Sequence, residues 1–106
     1  MIHVEAVYGE AGFEKLSITD HADDSLVCAG VSSCYVGALN ALDDLDAYQI
    51  ENRSGDSYVV RIGRITGHDE TVLETLVIQL KTIEQSYPDD VRVHVSGRKD
   101  LNEINL

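Results

Sequence analysis

The chain has 106 residues, 43% hydrophobic and 25% charged, which is enough for one packed core and too little for two. Eight Lys and Arg stand against 19 Asp and Glu, a net charge of −11. That balance excludes the basic stripe through which a protein neutralises phosphates, so no direct nucleic-acid binding is expected.

The same charge suits a basic protein partner, or serves solubility alone. Met1-Ile2-His3-Val4-Glu5 lacks the basic start and apolar core of an export signal, and no apolar run is as long as a membrane span. The expectation is a cytoplasmic protein with two free thiols and no membrane partner.

In chain order, Ile2, Val4, Ala6 and Tyr8 alternate with His3, Glu5 and Val7, a half-buried strand. His3 falls on its polar face. Gly9-Glu10-Ala11-Gly12 is a turn, and Phe13 to Thr19 returns as a second strand with Leu16 and Ile18 inward. Val27, Val31, Ala38, Leu42 and Leu45 recur at helical spacing, predicting a first helix from Leu26 to Leu45. Gly30 and Gly37 inside it permit close packing or simply weaken it.

Ala47 to Arg53 and a segment around Tyr58, Val60 and Ile62 are strands joined by a turn at Ser54-Gly55-Asp56. Gly63 marks a bulge near the end of the second of these. Asp69, followed by Glu70, is the expected N-cap of a second helix whose apolar stripe is Val72, Leu73, Leu76, Val77, Leu80 and Ile83. Tyr87-Pro88-Asp89-Asp90 ends it, and Val91, Val93 and Val95 alternate as a last strand. The order ββαββαβ predicts a two-layer α+β domain, two long helices on a mostly antiparallel sheet. The pattern disappears after Gly97, so residues 98–106 are expected to form a flexible C-terminal tail beyond a single domain over residues 1–97.

The chemistry concentrates in Asp20-His21-Ala22-Asp23-Asp24-Ser25-Leu26-Val27-Cys28-Ala29-Gly30-Val31-Ser32. A thiol, with an ordinary pKa of about 8.5, becomes a nucleophile when a helix N-terminus or an imidazolium favours its anion. This stretch can supply both. Ser25, or Asp24 before it, caps the helix, and with Ser25 as cap Cys28 stands in the first turn. His21 precedes it across a loop of six residues that can bend toward the sulfur. The backbone N–H groups of that turn, that of Cys28 included, are candidates for an oxyanion hole. Ser32, one turn after Cys28, shares its face and either supports the site or back-bonds to the helix.

The carboxylates of Asp20, Asp23 and Asp24 attract an imidazolium, repel a thiolate, and can hold a basic substrate segment; a solvated loop is the plainer reading. Cys28 also fits as a small buried hydrophobe, as Cys34 does. A zinc set of His21, Cys28, Cys34 and His68 matches no closed-site spacing, so no metal and no cofactor are expected.

The run His21-Ala22 followed by Cys28-Ala29-Gly30-Val31-Ser32 resembles the signature of the ribosomal-processing cysteine protease (Prp) family, a Gly-His-Ala step, a variable loop and a Cys-Ala-(Ala/Gly)-Val-Ser helix start. The likeness continues through Val36 to Leu42 and Leu80-Lys81-Thr82-Ile83-Glu84. It implies a cysteine-protease-like domain acting as an endopeptidase. Such an enzyme removes the N-terminal extension of the basic large-subunit ribosomal protein twenty-seven, with His21 as general base and Cys28 as nucleophile. It implies a homodimer as well. Supporting roles fall to Ser32, Asp23, Asp24 and Ser25.

Three departures stand out. Asp20 replaces the family's usual glycine, the loop is short, and Ser25 stands where many members have aspartate. The short loop suggests a tighter active-site segment, and the departures at Asp20 and Ser25 favour a second reading, a non-catalytic module that escorts a basic ribosomal protein during ribosome assembly.

Overall fold

A computed structural model describes residues 1–104. Strands β1 (Ile2–Gly9) and β2 (Gly12–Thr19) form a hairpin, followed by helix α1 (Ser25–Asn40) and a single 3-10 turn at Leu45–Ala47. A second hairpin, β3 (Tyr48–Arg53) and β4 (Asp56–Arg61), leads into helix α2 (Gly67–Ser86), strand β5 (Val91–Ser96) and a short helix α3 (Lys99–Asn102). The strands lie in the order β3-β4-β2-β1-β5. Every pairing is antiparallel except β1 with β5, which is parallel. The predicted α+β class and the order ββαββαβ hold, with α3 added.

Alternation decides the faces. Ile2, Val4, Ala6 and Tyr8 of β1 and Val91, Val93 and Val95 of β5 are buried, while His3, Glu5, Arg92 and His94 are exposed. One face of the sheet therefore carries the helices and the other meets solvent. In β4 the inward residue is Val59, fully buried, whereas Val60, and Ile62 just past the strand's end, face out. Leu73, Leu76, Val77 and Leu80 present the stripe of α2 to that core. Each such side chain contributes about 1.5–3 kcal/mol on leaving water. The N–H groups of Ile62 and Gly63 both donate to Ala47 O, at 2.9 and 3.1 Å, which ends the β3–β4 ladder where a bulge was expected.

Three boundaries differ from the sequence reading. Helix α1 stops at Asn40, because the acidic run Asp43-Asp44 opposes the negative helix end and Asp44 instead caps the 3-10 turn by accepting from Asp46 N at 2.9 Å. Helix α2 starts two residues before Asp69. Thr66 is the cap, and Asp69 is buried (1% exposed) with its N–H given to the Thr66 hydroxyl at 3.1 Å. The expected tail is docked over its described part. Leu101 is buried in the core cluster, and Asn102 exchanges bonds with both the N–H and the carbonyl of Val95. The rest of that tail, residues 105–106, lies outside the described residues.

Candidate active site

Two elements meet at the site, the end of β2 and the start of α1. Asp24 is the N-cap. Its carboxylate accepts from Leu26 N at 2.9 Å, and its carbonyl accepts from Cys28 N at 3.2 Å. Ser25 is thus the first helical residue rather than the cap. The Cys28 N–H is committed to the helix and is withdrawn from the oxyanion-hole candidates. Among the described residues the Ser25 and Val27 N–H groups have no protein partner. They are the first-turn donors left to a developing oxyanion.

The Cys28 side chain is half-buried, and its thiol donates to Ala22 O across 3.4 Å. His21 is exposed, with its backbone fixed from two sides. Its carbonyl accepts from the Met1 amine at 2.8 Å, and its N–H donates to Asp20 Oδ1 at 2.9 Å.

His21 and Cys28 line one pocket of about 110 Å³ together with Ile2, Ile18, Asp20, Val31, Ser32, Tyr35, Gly55 and Ser57. Apolar side chains thus wall a small recess into which a thiol, an imidazole and hydroxyls open. Of the supporting candidates, Ser32 lines this recess, Asp24 is spent on the cap, and Asp23 and Ser25 are exposed beside it. Sequence reading missed Tyr35, Gly55 and Ser57. Tyr35 was findable, since it follows Cys28 by two helical turns on the same face. Gly55 and Ser57 come from the other hairpin, and no local signal announces them. Burial pushes the Tyr35 hydroxyl's pKa up while the Ser57 hydroxyl opposes the shift, and Tyr35 Oη lacks an aligned hydrogen-bond partner.

The imagined zinc set is split. Cys34 and His68 line a separate groove between α1 and α2. His68 does approach Asp43 and Asp69, with donor atoms within 4.8 Å of one another. Those atoms are already engaged. His68 Nε2 donates to Ala41 O at 2.8 Å, and Asp69 accepts from Asp43 N at 2.9 Å and from Tyr48 Oη at 2.7 Å. Asp43 Oδ2 accepts from the Thr66 hydroxyl at 2.7 Å. The cluster ties the end of α1 to the start of α2.

A free thiol at a helix start, an imidazole sharing its pocket, and an α+β scaffold that fixes both are the parts the cysteine-peptidase class requires. The family described as cysteine protease Prp matches residues 1–92, and the chain belongs to it. The ribosomal processing cysteine protease Prp of Staphylococcus aureus is 26% identical over 104 residues, spanning 89% of this chain and 98% of that protein. The crystal structure of the S. aureus protease with a covalently linked product peptide is similar at a TM-score of 0.78 and 24% identity, covering 91% of this chain and all of the other. The same protease with a substrate peptide gives 0.78 and 22% over the same share.

Among the described residues, no helix is long and apolar enough to cross a membrane.

Proposed function

We propose that this chain is a cysteine endopeptidase with a Cys28–His21 dyad, acting on the N-terminal extension of large-subunit ribosomal protein twenty-seven. The observation that carries the reading is the shared pocket. The family's thiol and imidazole positions open into one walled recess at the head of α1. The processing role borne by the S. aureus relatives supports the substrate, and the net charge of −11 suits a basic ribosomal protein. A cytoplasmic homodimer without cofactor completes the proposal.

The thiol proton passes to the His21 ring, and the sulfur attacks the scissile carbonyl carbon. The carbonyl oxygen takes the negative charge, facing the free N–H groups of the first turn. Collapse breaks the C–N bond, and the imidazolium gives its proton to the leaving amine. Water, deprotonated by His21, then opens the thioester and returns the thiol. Ser32 sits at the pocket wall one turn along. Asp23, with Asp20, forms an acidic rim for a basic substrate segment, and the Ser25 hydroxyl adds a neutral polar group to it.

The direct test is incubation with the host's own extended ribosomal protein, read by intact mass spectrometry. Loss of the N-terminal extension at a single junction is the expected result. A substrate that stays intact overturns the assignment.

A further inference from the structure

We propose that the tip of the β3–β4 hairpin, through Asp56 and Gly55, positions the His21 imidazole. This deepens the dyad reading and rests on it. Asp20 has φ +69°, the left-handed region, which Asp enters more readily than most residues with a Cβ but at greater cost than glycine. The family's usual glycine at this position needs no help there, whereas Asp20 does. It receives that help in two bonds. The Asp20 N–H donates to Asp56 Oδ1 at 2.9 Å, and Asp20 Oδ1 accepts from His21 N at 2.9 Å. A chain of bonds therefore runs from the hairpin carboxylate through the strained residue to the backbone of the proposed base.

The register makes this contact. Ile18 pairs with Ser57, so Asp56, the first residue of β4, stands where β2 runs out into His21. Ser54 and Gly55, at φ +52° and +88°, form the two-residue turn that points the tip toward the ring. A Cβ on Gly55 would lie 3.0 Å from His21 Cε1 and 3.1 Å from Nε2, so the imidazole edge rests on bare backbone. The hairpin thus supplies both a tether and a seat, and neither residue touches the reacting carbon. They are positioning residues.

The test is steady-state cleavage of a peptide spanning the extension junction. A misplacement of about 1 Å costs roughly 100-fold, so Asp56→Ala should lower kcat about ten- to a hundred-fold with KM little changed. Asp56→Asn keeps the acceptor oxygen and should restore most of the rate. Adding Asp20→Gly to Asp56→Ala should not restore it, because glycine holds positive φ but lacks the carboxylate that accepts from His21 N. A role in stability alone predicts a lower melting temperature with kcat intact, and a role of the Asp56 charge rather than its acceptor oxygen predicts no rescue by Asp56→Asn. Either result overturns the proposal. His21→Ala separates this from the dyad reading. If His21→Ala is inactive and Asp56→Ala fully active, only the hairpin's role falls; if His21→Ala cleaves normally, the dyad falls first. Ring resonances of His21 report the same positioning without turnover. They should broaden or shift in Asp56→Ala and return in Asp56→Asn, and unchanged resonances count against the tether.

Discussion

The Cys28 thiol donates to the Ala22 carbonyl, 3.4 Å away, so the sulfur is held by the loop that leads from His21. To pass its proton to the imidazole the thiol must leave that carbonyl. The loop from Ala22 to Asp24 is exposed over Asp23 and Asp24 and is pinned at its far end by the cap.

Cys28→Ala and Cys28→Ser are therefore expected to abolish cleavage, and His21→Ala to reduce it by about 10²–10⁴-fold, the usual worth of a general base. The escort alternative predicts that Cys28→Ala binds and functions normally, so full activity in that variant decides for it. Alkylation near neutral pH gives a second readout, with Cys28 reacting ahead of Cys34.

The cap at Asp24 holds the helix start that carries Cys28. Asp24→Ala should destabilise the protein by about 1 kcal/mol, and Asp24→Asn by only a few tenths, since the amide oxygen can still accept from Leu26 N. The denaturant midpoint reads this directly. If Asp24→Ala leaves the midpoint unmoved, the cap bond carries no stability.

Much of the fold was legible because alternation and helical spacing are local properties. The strands Ile2 to Gly9 and Val91 to Ser96, and the stripe from Leu73 to Leu80, follow from burial on one face. The cap of α2 was misread because Thr66 and Asp69 are both good cap residues. The choice was made by Tyr48, 21 residues away, whose hydroxyl draws Asp69 inward. Leu101 was missed since a single turn of helix has no period to read, and its burial depends on β5 and α2. Cys28 and His21 were visible as neighbours in sequence. The turn at Ser54-Gly55-Asp56 was legible, but its approach to His21, 34 residues before Gly55, was not, because register, not composition, brings Gly55 to His21.

Asp69 is buried, and both of its carboxylate oxygens accept hydrogen bonds, one from Asp43 N and one from the Tyr48 hydroxyl. Asp69→Ala would leave the buried Tyr48 hydroxyl and the part-buried Asp43 N–H without their acceptor, and an orphaned buried group costs about 1–3 kcal/mol, the part-buried one less. The expected loss is about 3 kcal/mol in chemical denaturation. Asp69→Asn should cost distinctly less, since its oxygen still serves Asp43 N while the Tyr48 hydroxyl can turn to accept from the amide. Equal losses in the two variants would show that volume, not hydrogen bonding, sets the cost.

Tyr8 makes stability fall at alkaline pH. Burial pushes its pKa up from 10.0 to about 12, against the pull of the Arg98 guanidinium lying 5.3 Å over its ring. Between those values the folded chain keeps a phenolic proton that the unfolded chain releases, so the unfolded state binds fewer protons and stability drops as pH rises. The contribution is complete below pH 10.0 and is lost through about 12, an amount on the order of 2 kcal/mol. Tyr35 and Tyr48 are shifted in the same direction, Tyr48 by burial and by its bond to Asp69, and they steepen the fall. Denaturant midpoints taken across that range should decline for the wild type and decline less for Tyr8→Phe. At neutral pH Tyr8→Phe should be close to neutral or slightly stabilising, because among the described residues the buried Tyr8 hydroxyl has no hydrogen-bond partner to lose. An identical alkaline slope in the two proteins would mean that Tyr8 ionises as readily folded as unfolded, and that the core opens around it before the proton leaves.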